Sequence, residues 1–269
     1  MALLLKKLAT NFCHAMNTLH DPRVEDWFLM RSLWSIVGIS LLYLYVILDI
    51  GPKFMKNRKP FNIDKLMIFY NAAQIAACTY IVVEGCRSAL VNYDFLCAPV
   101  DYSNSPQAIH VARIVWFYFI VKITDLLDTV FFILRKKENQ VSFLHVYHHW
   151  GMVALSWIFT KFVPGGYIMY IIVINSFVHI IMYGYYLLTA YNPEFKKSIW
   201  WKKHITQLQL LQFGILLAQH LQMLAFQPNC PVPTFLFFIL IPQNLTIFSL
   251  FADFYFKAYI KPNLKIREQ

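Results

Sequence analysis

Seven stretches of this chain are apolar over lengths near the ~20 residues that carry a helix across a bilayer, and this limits the fold more than any other feature. They fall at about 32–50, 66–85, 111–134, 141–160, 167–190, 204–226 and 234–256. Only 14% of residues are charged, where a soluble domain carries about a quarter. The 24 Phe and 16 Tyr suit lipid-facing surfaces and interfacial belts. The expectation is an all-α, polytopic membrane protein with seven transmembrane helices. It forms one integral-membrane domain, 1–269, with tails at 1–31 and 257–269.

The basic residues orient it. Lys53, Lys56, Arg58, Lys59 and Lys65 follow the first span, and Arg135, Lys136 and Lys137 follow the third. Lys196, Lys197, Lys202 and Lys203 follow the fifth, and Lys257, Lys261, Lys265 and Arg267 the seventh. The alternate loops hold little beyond Arg87 and Lys161. Positive residues stay on the cytosolic side, so the C-terminus is expected in the cytosol. An odd span count puts the N-terminus in the lumen, against the vote of Lys6, Lys7, Arg23 and Arg31 in the tail. "MALLLKK" is too short and wrongly ordered for a cleaved signal, so span 1 is expected to act as an anchor. The net charge of +10 reads as topology rather than nucleic-acid binding; basic residues beside a membrane cavity also suit a phosphate-bearing ligand.

Two of the five cysteines, Cys97 and Cys230, fall in the far-side loops, where an oxidising lumen lets them pair. Cys13 shares that side, whereas Cys78 and Cys86 belong to span 2 and fit inert packing.

Polar groups inside the spans are costly there and are functional candidates for that reason. Span 3 holds Lys122, Asp125 and Asp128 at spacings of three, on one helix face. A Lys–Asp pair within the bundle accounts for two of them and leaves one aspartate over. At about 1.5 Å per residue, Asp128 and His148 each lie about 10 Å from the cytosolic end, Gln209 and Gln212 about 9 and 13 Å, and His179 about 18 Å. Asn175, His179, Tyr183 and Tyr186 share a face of span 5. Tyr185 and Tyr186 also fit interfacial tyrosines, and interhelical hydrogen bonding accounts equally well for Gln209 and Gln212. His110 and His220, near the lumenal ends, read as structural, and Asn244 in "NLT" is a mid-span residue rather than a glycosylation acceptor. Four helices nevertheless bring histidines, carboxylates and amides to one depth, which points to an enclosed site.

"HVYHH" supplies three of those histidines: His145, His148 and His149. A two-iron site needs more imidazoles than these, His179 and nearby His204 provide. A single-metal site completed by the aspartates stays open. So does nucleophilic catalysis, with a histidine attacking an activated acyl group and its neighbours setting tautomers and moving protons.

The motifs "KITDLLDT" (122–129), "HVYHH" (145–149), "NSFVHIIMYGYY" (175–186) and "TQLQLLQF" (206–213), in this order, resemble those of the membrane fatty acid elongases. "DPRVEDW" (21–27), "NRKPF" (57–61), "LRKK" (134–137) and "WWKK" (200–203) extend the resemblance over almost the whole chain. One departure is Asp125, where the family usually has Glu. The resemblance implies an endoplasmic reticulum protein with six of seven helices enclosing a tunnel. It implies condensation of a long-chain acyl-CoA with malonyl-CoA to 3-oxoacyl-CoA, CO2 and CoA, with no bound cofactor or metal. On this reading His148 carries the acyl group, His179 serves the malonyl carbanion, and His145, His149, Asp128, Asp125 and Lys122 orient them. Asn175, Tyr183, Tyr185, Gln209 and Gln212 line the substrate path, while Arg135, Lys137, Lys202, Lys203 and Lys257 meet the CoA phosphates. "DPRVEDW" resembles the subgroup acting on saturated and monounsaturated very long chains, and "KIREQ" resembles a dibasic retrieval signal. Membrane lipid, a second copy of the chain and the other enzymes of the elongation cycle are the expected partners. The competing readings are a metal-dependent lipid desaturase or hydroxylase, and a seven-helix lipid transporter or receptor.

Overall fold

The computed structural model describes residues 18–92, 97–226 and 229–261. Lys6, Lys7, Cys13, Lys265 and Arg267, named above, lie outside the described residues. Among those described, the regular structure is entirely helical.

Local chemistry sets where the helices begin. Ser32 accepts from Trp34 N and starts α1 (Leu33–Tyr45), which continues through a π-helical turn and a further helical turn to Met55. After α2 (Asp64–Asn92), Ser105 accepts from Ala108 N ahead of Pro106 and opens α3 (Pro106–Thr124). Proline at the first helical position loses no hydrogen bond there. Tight i to i+3 bonds, Leu126 N to Ile123 O and Asp128 N to Asp125 O, separate α3 from α4 (Leu127–Leu134). Ser142 accepts from His145 N and starts α5 (Phe143–Phe162), so the three histidines occupy its first two turns. α6 (Ile168–Tyr191), α7 (Ile199–Phe226) and α8 (Phe235–Tyr255) follow, α8 running on through a π-helical turn to Ile260.

Five of these segments are long and apolar enough to cross a membrane: Leu33–Met55, Asp64–Ser88, Ile168–Tyr191, Ile199–Phe226 and Phe235–Ile260. The count of seven is thus reached only in part. The segments expected at 111–134 and 141–160 are helical, but the first divides at Asp125 and the second, observed as α5, carries three histidines, with Lys161 in its last turn. Those polar residues lower the hydropathy of both helices.

α2 packs most extensively on α6, α3 lies against α2 and α5, and α7 lies against α8 and α6. The α2–α6 contact needs a glycine: a Cβ at Gly85 would meet Val173 Cγ2 at 2.5 Å. The largest apolar core joins Tyr118 and Val115 of α3, Phe159 of α5, Ile172 of α6 and Leu236 of α8. At the end away from the basic loops, a disulfide joins Cys97 to Cys230 and Tyr167 N bonds Ala98 O at 2.7 Å.

Candidate active site

The break between α3 and α4 turns Asp125 and Asp128 toward α2 and α6. Lys122 Nζ lies 3.0 Å from Asp125 Oδ2, and Lys122 and Asp125 are each only 2% exposed. A buried charge without a partner is strongly disfavoured, and this pair answers for one aspartate. The second, Asp128, meets Tyr183 Oη at 2.8 Å, and the same hydroxyl is 2.9 Å from Asp125 Oδ1. His179 faces this pair, with Nδ1 3.7 Å from Asp125 Oδ2 and Nε2 3.5 Å from Lys122 Nζ. Lys122 also lies over the Tyr118 ring, whose hydroxyl donates to Asn175 Oδ1 at 2.9 Å. Lys122, Asp125, Asp128, Asn175, His179 and Tyr183 are therefore one buried network. Tyr183 is tied to both of its carboxylates.

Two members of the network lie on α2, where sequence reasoning placed none. Gln74 Nε2 donates to Asp125 Oδ1 at 2.5 Å and to Tyr70 Oη at 3.1 Å, and Tyr70 Oη bonds Thr124 O at 3.2 Å. The signal was in the sequence: Asn71 and Gln74 are amides inside an apolar span, as Gln209 and Gln212 are.

The histidines of α5 form a second group. His145 Nε2 lies 2.9 Å from Thr129 Oγ1, which in turn meets Tyr43 Oη at 2.8 Å, so α4 and α1 hold that ring. The His145 and His149 rings lie 4.2 Å apart, and His148 stands edge-on to His149 at 5.7 Å. His148 Nδ1 is buried and meets no hydrogen-bonding group of the described protein. Among the described residues no group of three or more His, Cys, Asp and Glu has the geometry to hold a metal ion.

His148 opens onto a partly open cavity between α5, α6, α7 and α8, with about 510 Å³ of non-protein space that includes its mouth. Its wall is mainly apolar, with Leu155, Phe159, Leu216 and Ile247, and its polar members include Asn175, Gln212, Gln243, Asn244 and His220. Gln212 Oε1 and Asn244 Oδ1 are buried without a partner, while Tyr147 donates to Gln243 Oε1 at 2.6 Å. His220, read above as structural, hydrogen-bonds Tyr167 and also borders this cavity. Gln209 is set aside from it, its amide near Met182 Sδ at 3.8 Å. Tyr185 is buried, with its hydroxyl unpartnered.

The expected phosphate contacts divide. Arg135 pairs with Asp64 at 3.0 Å, and Lys257 with Asp253 at 2.7 Å. Lys137 and Lys202 are exposed, and Lys203 is half-buried. Lys196, in the short turn of helix Pro193–Lys197, joins the first group: slight desolvation of this largely exposed side chain, then the charge of Arg135 and less so that of Lys137, pull its pKa below the usual lysine value against the opposing carboxylate of Asp64. Arg135, Lys137 and Lys196 thus crowd positive charge at one end of the helices.

A family model described as the GNS1/SUR4 family matches residues 28–266. "Very long chain fatty acid elongase 4" of Homo sapiens is 43% identical over 245 residues, 90% of this chain and 76% of that protein. "Very long chain fatty acid elongase 7" of Drosophila melanogaster is 41% identical over 247 residues, 91% of this chain and 75% of that protein. "Very long chain fatty acid elongase 1" of Mus musculus is 42% identical over 253 residues, 93% of this chain and 90% of that protein. With five helices among the described residues long and apolar enough to cross a membrane, and a matched family that spans nearly all of its length, this multi-pass membrane protein belongs to the GNS1/SUR4 family, that of the very long chain fatty acid elongases.

Proposed function

We propose that this protein is the condensing enzyme of very-long-chain fatty acid elongation, joining a long-chain acyl-CoA to malonyl-CoA. The observation that carries the reading is the mainly apolar cavity bordered by His148, which offers an acyl chain a lining and its thioester a nucleophile.

His148 attacks the thioester carbonyl; the carbon–sulfur bond breaks, and the imidazole N–H proton passes to the CoA thiolate. The acyl-imidazole stays reactive because imidazole is a good leaving group. Malonyl-CoA then loses CO2, and the resulting carbanion attacks the acyl carbon. The carbon–nitrogen bond breaks, 3-oxoacyl-CoA leaves, and imidazole regains a proton from solvent. His179, close to Lys122 and Asp125, serves as proton carrier or enolate partner. His145 and His149 orient His148 by ring contact, and Asp128 orients Tyr183. The Arg135–Lys137–Lys196 group suits CoA phosphates, joined by Lys202, Lys203 and Lys257 on the same side. That basic side is assigned to the cytosol, the disulfide side to the lumen, and the membrane to the endoplasmic reticulum.

The experiment is CoA release from the purified protein given long-chain acyl-CoA, with and without malonyl-CoA. The covalent route expects release without malonyl-CoA and an acyl mass on His148 or His179. Release only with both substrates keeps the condensation and makes histidine a base. No release with either overturns the reading. His148→Ala with near-full elongation removes the acyl-imidazole.

A further inference from the structure

Nine residues before Lys122 on the same helix, Arg113 stands in an open groove formed by Trp27, Phe28, Tyr80, Trp116 and Phe117, with about 1030 Å³ of non-protein space. The groove lies beside Asp64–Ser88, a segment long and apolar enough to cross a membrane. Tyr80 is eight residues inside the end of the membrane-crossing segment Asp64–Ser88, about 12 Å along its axis. Arg113 is seven residues into α3, again about 10 Å from that helix's start.

Arg113 is exposed there and has no ion pair or hydrogen bond among the described residues. Of the acidic groups on this side, Asp26 is exposed beside Trp27, whereas Glu84 and Asp21 are engaged with other partners. Glu84, one turn from Tyr80, holds Arg87 at 2.8 Å and His110 at 3.0 Å. Asp21 holds Arg23 at 2.6 Å. An unpaired guanidinium at this depth is costly unless the surroundings supply an anion. The only anion a bilayer interface offers in quantity is the phospholipid phosphate, whose oxygens match the guanidinium fork.

The walls fit that occupant. Trp27 and Trp116 meet edge-on at 6.0 Å, Tyr80 and Phe117 at 5.3 Å, and Trp116 Nε1 bonds Phe28 O at 3.1 Å. These bonds fix the 18–31 segment as one wall of a formed groove. Amphipathic rings favour the headgroup level, and the long arginine stem reaches from an apolar wall to it. We propose that Arg113 and the Trp27–Trp116 groove bind one phospholipid in the leaflet on the disulfide side, phosphate on the guanidinium and acyl chains along Phe117 and Tyr80.

The test is native mass spectrometry of the delipidated full-length protein. Phosphatidylserine, phosphatidylcholine or diacylglycerol is added in separate titrations, to wild type, Arg113→Gln and Arg113→Lys. The expected result is one tightly retained phospholipid of either headgroup on wild type. Retention should fall at least fivefold in Arg113→Gln, lie between in Arg113→Lys, and be weak for diacylglycerol throughout. Equal retention by wild type and Arg113→Gln overturns the proposal, as does equal binding of diacylglycerol. A dimer of wild type that Arg113→Gln dissociates, with lipid unchanged, assigns the groove to a second copy instead. Should Arg113→Gln fail to fold, the wild-type comparison of phospholipid with diacylglycerol still decides.

Discussion

Tyr183 Oη sits 2.8 Å from Asp128 Oδ2, and the same oxygen is 2.9 Å from Asp125 Oδ1. A phenol carries one hydrogen, so it satisfies only one carboxylate. The other contact is a hydrogen bond only when that carboxyl brings a proton of its own. Asp125 already takes donors from Lys122 and Gln74, which assigns the extra proton to Asp128. The two aspartates, alike in sequence, then have different tasks: one balances Lys122, the other acts as a neutral partner.

Amide substitutions should separate them. Asp128→Asn keeps size and neutrality, and its expected cost is that of one altered hydrogen bond, about 1 kcal/mol. Asp125→Asn strands Lys122 in the interior, at about 3–5 kcal/mol. Thermal midpoints in detergent and elongation rates should therefore rank wild type, then Asp128→Asn closely, then Asp125→Asn far below. Equal damage from the two would refute the division.

Gln74 is expected to be a positioning residue. It touches Asp125 at 2.5 Å and Tyr70 at 3.1 Å. Asp125 in turn faces His179. Gln74→Leu should lower kcat with little change in KM for acyl-CoA, because the cavity beside His148, proposed to take the acyl chain, does not include it. Gln74→Glu sets a second carboxyl against Asp125 and should shift the pH–rate profile, which a purely structural role would leave in place.

How far the sequence revealed this site depends on the helix concerned. Lys122, Asp125, His179 and Tyr183 could be found because each is a polar residue at a shared depth in an apolar run. Tyr70 and Gln74 carry the same signal on α2, yet nothing local says that α2 packs on α6, a contact set by Gly85 and Val173. The turn at Asp125 was invisible for a related reason. A period-three series reads as one continuous face, whereas α3 and α4 part at that residue. His220 looked remote by depth alone; only the course of α7 beside the cavity brings it to the same enclosure as His148.

The cation group at the basic end should act on substrate capture. Each of Lys137→Gln and Lys196→Gln removes an exposed charge, for which an ion pair is worth up to about 1 kcal/mol, or about fivefold in KM for acyl-CoA. The chemical step should be unaffected, and the double variant should show a weaker dependence of KM on salt, since the lost interaction is screened. Unchanged KM in the double variant would move CoA recognition to Lys202, Lys203 and Lys257.

The Cys97–Cys230 disulfide spans 133 residues. A loop of that size limits the unfolded chain strongly, by about 4 to 5 kcal/mol for a soluble protein. Cys97→Ser and Cys230→Ser should each lower the thermal midpoint by several degrees, and the double variant should match either single one, because both remove the same bond. Additive losses would mean that each cysteine contributes by packing instead.

The cavity makes the sharpest demand on the proposed chemistry. Gln212, Leu216 and His220 follow one another at successive turns of α7, so Leu216 lies about 6 Å from each along the axis. Leu216→Trp should fill part of this cavity. If the acyl chain lies there, each methylene the remaining space excludes costs about 0.8 kcal/mol, or about fourfold in kcat/KM. The loss should therefore grow with chain length, and the longest product should shorten, while short acyl-CoAs bear only the packing strain, about 1–3 kcal/mol in stability. Competition assays with a mixture of acyl-CoAs of graded length read this directly. A uniform loss across all lengths would place the acyl chain outside this cavity.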